Sequence, residues 1–110
     1  MTPKRLVGPV ALSSTYTTNV FNASSALIYS VIRHIHVTNK TGAAVSFRLF
    51  IGATGANAAG TELIYDQPVQ GFDSFDYYGA LRMDSTDFLV GGASAATSLT
   101  ITVEGDQEVV

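Results

Sequence analysis

Hydrophobic side chains recur at every second position along much of this chain, which is the period of a β-strand. Over residues 31–38, Val31, Arg33, Ile35 and Val37 fall on one face, and Ile32, His34, His36 and Thr38 on the other. Residues 44–51 repeat the alternation, with Val45, Phe47, Leu49 and Ile51 opposite Ser46, Arg48 and Phe50. Between them, Asn39, Lys40, Thr41 and Gly42 form a turn signal, so the two runs are expected to pair as a hairpin. A strand over 61–65 should end at Asp66, Gln67 and Pro68, because proline cannot donate to a ladder. Residues 74–78 alternate Phe75 and Tyr77 against Asp76 and Tyr78, and Gly79 marks a bulge before 80–83. Residues 88–90 should stop at Gly91 and Gly92. A last strand over 98–104 turns Leu99, Ile101 and Val103 inward. Residues 5–11 and 16–21 are two further strand candidates. The Gly/Ala-rich stretch 52–60 reads as an exposed loop, and no segment has a helical period.

About eight short antiparallel strands and no helix predict an all-β, single-domain β-sandwich or jelly roll. The expected sandwich spans residues 13–105, flanked by an N-terminal arm (1–12) and a C-terminal tail (106–110). Such terminal arms order when a partner ties them down. The expected core is Ile32 or Ile35 with Val37, Val45, Phe47, Leu49, Ile51, Leu63, Phe75, Leu81, Leu99, Ile101 and Val103.

Composition adds a functional hint. The 110 residues suffice for one core, and only 14% are charged, against roughly 25% in an average soluble domain. Charge depletion is a property of surfaces buried in assemblies. There is no cysteine, which excludes disulfides, thiolate metal sites and a cysteine nucleophile. Lys4 and Arg5 are followed by an apolar stretch broken by Gly8 and Pro9, so no signal peptide is read, and the protein is expected to be made in the cytosol or to leave it by a route that needs no cleavable signal. No apolar run reaches the roughly 18 residues of a membrane helix. All nine acidic residues lie at Glu62 or later, whereas five of the six Lys and Arg lie at Arg48 or earlier. Either strands of the two halves neutralise each other within one chain, or a basic end meets an acidic patch on a neighbour.

Candidate chemistry is sparse. His34 and His36 share a strand face and could ligate one metal, but no acid follows at close spacing and there is no third histidine. They are therefore read as polar residues of a solvated or interface face, and no metal or cofactor is expected. The pairs Asp73 with Asp76 and Asp84 with Asp87 flank turns, where aspartate bonds local backbone. No nucleophile elbow, P-loop or dinucleotide fingerprint occurs, so the chain is read as not an enzyme. Phe72, Phe75, Tyr77 and Tyr78 could stack on a ligand. Asp73 and Asp76 among them would repel phosphate, which argues against nucleic acid.

Residues 32–39, the stretch from Phe47 to Ala53, the group from Phe75 to Gly79, and the stretch from Leu99 to Gly105 together resemble small β-sandwich virion structural proteins of tailed bacteriophages, of the capsid decoration or cement type. The resemblance implies a homo-oligomer, such as a trimer, that docks on the major capsid protein at the virion surface and stiffens the shell. A tail or head–tail connector component and a carbohydrate-binding β-sandwich using Tyr77 and Tyr78 are the alternatives. In the decoration reading Lys4, Arg5 and Leu6, within the arm 2–7, contact the shell. His34, His36 and Arg48 are further interface candidates. No membrane or nucleic-acid partner is expected.

Overall fold

The alternating segments build eight strands: β1 (Thr2–Ala11), β2 (Asn19–Asn22), β3 (Ile28–Asn39), β4 (Val45–Gly52), β5 (Glu62–Val69), β6 (Ser74–Met83), β7 (Phe88–Ala93) and β8 (Leu99–Val109). They are seen in a computed structural model that describes residues 2–23, 25, 27–55 and 57–109. Two four-stranded sheets pack face to face, in the orders β1-β8-β3-β6 and β2-β7-β4-β5. All ladders among the described residues are antiparallel. The pairs β1/β8, β2/β7, β3/β6 and β4/β5 form one long ribbon of the first half of the chain against the second. Rolling that ribbon brings β8 onto β3 and β7 onto β4, which is the jelly-roll order. Every ladder therefore joins a strand of the cationic half to a strand of the anionic half. Arg33 of β3 pairs with Asp106 of β8 at 2.7 Å, and Arg48 of β4 with Asp66 of β5 at 2.6 Å. Part of the charge segregation of the sequence is thus neutralised inside the chain, across adjacent strands.

Between the sheets lies a core centred on Phe47, Ile32, Ile35, Leu49, Leu89, Leu99, Ile101 and Val103, all fully buried. Ile32 and Ile35 both face inward although three positions apart, because a register shift lies between Ile32 and His34 on both flanks of β3. The extra residue, Arg33, resets the alternation. On β6 the same irregularity falls beside Gly79, as its sequence suggested. Ile51, Leu63, Phe75 and Leu81 are half-buried and pack against this core.

Four expectations are corrected by the tertiary arrangement. The runs 31–38 and 44–51 are not a hairpin: β3 bonds to β6 and β8, and β4 to β5 and β7. Both strands have one apolar face, and these faces meet across the core instead of lying side by side. The crossing is held by Asn39, whose Nδ2 donates to the carbonyls of Ala43 (2.8 Å) and Val69 (2.9 Å). Its Oδ1 accepts from the Thr41 backbone and hydroxyl. Second, β5 continues through Pro68. It is an edge strand, where a missing donor is tolerated, and Asp66 at φ +50° carries its bulge. Third, β7 runs through Gly91 and Gly92. A Cβ on Gly91 would stand 2.0 Å from the Arg48 carbonyl oxygen, and one on Gly92 2.2 Å from that of Thr15. The glycines serve close packing here, between β4 and the loop 12–18. Fourth, the segments expected as arm and tail are strands, since β1 pairs with β8 from Thr2↔Gln107 to Ala11↔Thr100. Each ties the other down. Pro3 and Pro9 fit because β1 is an edge.

Candidate functional site

The outer face of the β1-β8-β3-β6 sheet gathers most of the polar side chains singled out in the sequence. Side chains alternate along β3, so with Ile35 and Val37 in the core His34 and His36 project outward. On the neighbouring strand Phe75 and Tyr77 pack inward, which turns Asp76 and Tyr78 outward. Antiparallel register places His36 opposite Asp76 and His34 opposite Tyr78. One carboxylate oxygen, Asp76 Oδ1, then lies 2.7 Å from His34 Nε2 and 2.6 Å from His36 Nδ1.

The second nitrogen of each ring also meets an oxygen. His36 Nε2 is 2.8 Å from the Thr38 hydroxyl, and His34 Nδ1 is 3.5 Å from Glu104 Oε1 on β8. Tyr78 stacks on His34 with ring centroids 4.5 Å apart and planes 3° from parallel. The three side chains of the cluster are 24–39% exposed. Hydrogen bonds from His36 and then His34 hold the Asp76 carboxyl below the ordinary carboxylate range. Asp76 was singled out in the sequence for its proximity to Asp73 and as an acid that would repel phosphate, not as a partner of the histidines. The alternation of 74–78 already assigns it to the outer face, but only the β3/β6 register brings it to the histidines.

A shallow open groove adjoins the cluster, lined by Lys4, Arg5, Arg33, His34, Glu104 and Asp106 among others. Lys4 and Arg5 are exposed on β1, and Lys4 Nζ donates to Gln107 Oε1 at 3.2 Å. Leu6 is half-buried and packs against the core, because the bulge between Arg5 and Val7 turns it inward. It is not a free anchor on an arm.

Arg48 lies on the opposite sheet, so the six candidate interface residues do not share one surface. Its guanidinium sits 4.4 Å from the Tyr16 ring centroid and 4.3 Å from that of Tyr65. Nε and Nη2 donate to the two Asp66 carboxylate oxygens at 2.6 and 3.2 Å. The Asp66 hydrogen bond raises the guanidinium pKa further and lowers that of the carboxyl. Arg48 is satisfied within its own chain by partners that sequence spacing did not reveal. The aromatic group also divides. Phe75 meets Phe47 edge-on at 5.7 Å in the core, whereas Phe72 and Tyr78 are exposed.

Comparison with protein-family models, curated proteins and solved structures finds no match to this chain. Jelly rolls serve capsid, lectin and cupin domains alike, so the fold does not choose among functions. The sites themselves have to.

Proposed function

We propose that this protein is a non-enzymatic structural module that associates with copies of itself and docks on a larger protein surface, as a capsid decoration protein of a tailed bacteriophage does. The observation that supports this best is the nature of its surface. Charges are few, and Arg33, Arg48 and Arg82 are already paired with Asp106, Asp66 and Asp84 of the same chain. Large apolar side chains are meanwhile left in solvent. Leu27 is 64% exposed and Val109 67%. They sit at one end of the sandwich, where Ile28 is the register partner of Val109. Burying such side chains between copies stabilises an assembly by about 25 cal/mol per Å² of apolar surface.

Two of the four strand edges, β1 and β5, are poor joining elements. β1 carries Pro3, Pro9 and two register shifts, and β5 carries Pro68 and a bulge. These devices block edge-to-edge pairing at β1 and β5, and the exposed apolar side chains favour docking through the end of the sandwich. Lys4 and Arg5 then supply cationic contacts to an acidic shell at the virion surface, and this complementarity sets docking orientation.

Light scattering on the purified chain, followed by co-sedimentation with expanded capsid shells, tests the reading. An oligomeric mass that falls on Leu27→Asp or Val109→Asp, with shell binding weakened by Lys4→Glu/Arg5→Glu, supports it. A monomer that leaves the shells unbound overturns it.

A further inference from the structure

We propose that His34, His36 and Asp76 form a surface binding site for a divalent transition-metal ion of the zinc type. The inference does not depend on what the protein assembles with. The ligand atoms of these three residues all lie within 4.8 Å of one another. Around a tetrahedral zinc with bonds of about 2.0–2.1 Å, neighbouring ligand atoms stand about 3.3 Å apart. Both imidazole nitrogens now approach Asp76 Oδ1 to 2.6–2.7 Å. An ion between them therefore requires an opening of about 0.6 Å at each contact, within reach of small χ rotations of exposed side chains.

The outer oxygens strengthen the assignment. A ligating histidine presents one nitrogen to the metal and donates the other N–H to an oxygen that fixes its tautomer and orientation. His36 has that partner in place, and His34 has a carboxylate oxygen close by. With His36 Nδ1 on the ion, Nε2–H points to the Thr38 hydroxyl oxygen at 2.8 Å. With His34 Nε2 on the ion, Nδ1–H faces Glu104 Oε1 at 3.5 Å. Tyr78, stacked on His34, limits rotation of that ring. The backbone adds rigidity, because the groups come from three adjacent strands, β6, β3 and β8.

The donor set decides the class of ion. Two imidazole nitrogens and one carboxylate oxygen suit first-row transition ions such as zinc, iron(II), cobalt, nickel or copper, whereas magnesium and calcium prefer all-oxygen shells. Three protein ligands on an exposed face leave further coordination positions to water. In the sequence the site was hidden because its third ligand lies forty positions beyond His36, on another strand.

Isothermal titration of the full chain with zinc chloride at about pH 7.5 tests the site, together with long-range ¹H–¹⁵N spectra of the imidazoles. His34 and His36 are the only histidines of the chain, so the spectra locate the ion without any mutation. The expected result is saturable binding of one ion per chain, with shifts at Nε2 of His34 and Nδ1 of His36. His36→Gln and Asp76→Asn should abolish saturable binding, and Thr38→Val should weaken it by about 10–100-fold at unchanged melting temperature. Absence of saturable zinc binding by the wild-type chain overturns the proposal. Equal affinity in Asp76→Asn, or binding that leaves both imidazoles unshifted, overturns it as well.

Discussion

Asn39 is the residue whose replacement tests this account of the fold most sharply. It is 1% exposed and sits where the chain leaves one sheet for the other. Its amide makes four hydrogen bonds, two donated to Ala43 O and Val69 O and two accepted from Thr41. Asn39→Ala removes all four. The bond to Val69 O is fully buried and the other three are part-buried. A buried carbonyl left unpaired costs about 1–3 kcal/mol, and each remaining bond contributes about 0.5–1 kcal/mol after partial rehydration. The sum, with overlap, is about 2–4 kcal/mol, a large part of the roughly 5–15 kcal/mol of a typical domain. At an unfolding entropy of about 2.1 cal/mol/K per residue, this lowers Tm by about 9–17 °C.

Asn39→Asp should be worse at neutral pH, although nearly isosteric. It retains the acceptor toward Thr41 but aims a second carboxylate oxygen at two carbonyl oxygens, with a charge out of water. That carboxyl binds a proton more tightly in the folded chain than in the unfolded one. Its destabilisation therefore shrinks as pH falls from about 7 to 4, and grows as pH rises. Urea and thermal unfolding followed by circular dichroism would read both variants. A loss below about 1 kcal/mol for Asn39→Ala, or an Asn39→Asp variant more stable than Asn39→Ala at pH 7, would refute the reasoning.

Other expectations follow from the same geometry. Phe47→Ala empties the centre of the core beside Phe75 and should cost about 3–5 kcal/mol in urea unfolding. Gly105→Ala places a Cβ 1.9 Å from the Val31 carbonyl oxygen at the β3/β8 bulge. Backbone cannot yield cheaply there, so a loss of about 1–3 kcal/mol is expected in the same assay. The Asp76 carboxyl is lowered from an ordinary value of 3.8, so its contribution is present at neutral pH and is lost as pH falls through 3.8 toward the lower folded value. An acid titration of stability should accordingly be flatter for Asp76→Asn than for the wild type. Arg48→Met removes the Asp66 pair and the cation–π contacts, and differential scanning calorimetry should show a lower Tm that added salt brings closer to that of the wild type.

Much of this molecule was legible along the chain, because strand alternation is a local property. Period two located segments of all eight strands, separated the inward residues of β4 and β8 from the outward ones, and placed His34 and His36 on a face away from Ile35 and Val37. The glycine before residues 80–83 identified the β6 bulge. What local pattern could not supply was partnership. The turn at Asn39–Gly42 announces a reversal, yet a reversal within a sheet and a crossing between sheets begin with the same residues. The difference lies in Val69, thirty positions away, whose carbonyl Asn39 binds. Gly91 and Gly92 read as a stop, because the backbone oxygens that exclude a Cβ there belong to distant Arg48 and Thr15. The same holds for the site. Sequence spacing offered two histidines and no third ligand, and a lone cation in Arg48. Pairing the two halves of the chain in one ribbon brought Asp76 to the first, through β3/β6, and Asp66 to the second, through β4/β5. Sequence determined which side chains face outward wherever the alternation runs unbroken, since that depends on neighbours in the chain; at Arg33 the β3 bulge reset it and turned Ile32 inward. Tertiary structure decided which of them meet, since that depends on register between strands far apart in it.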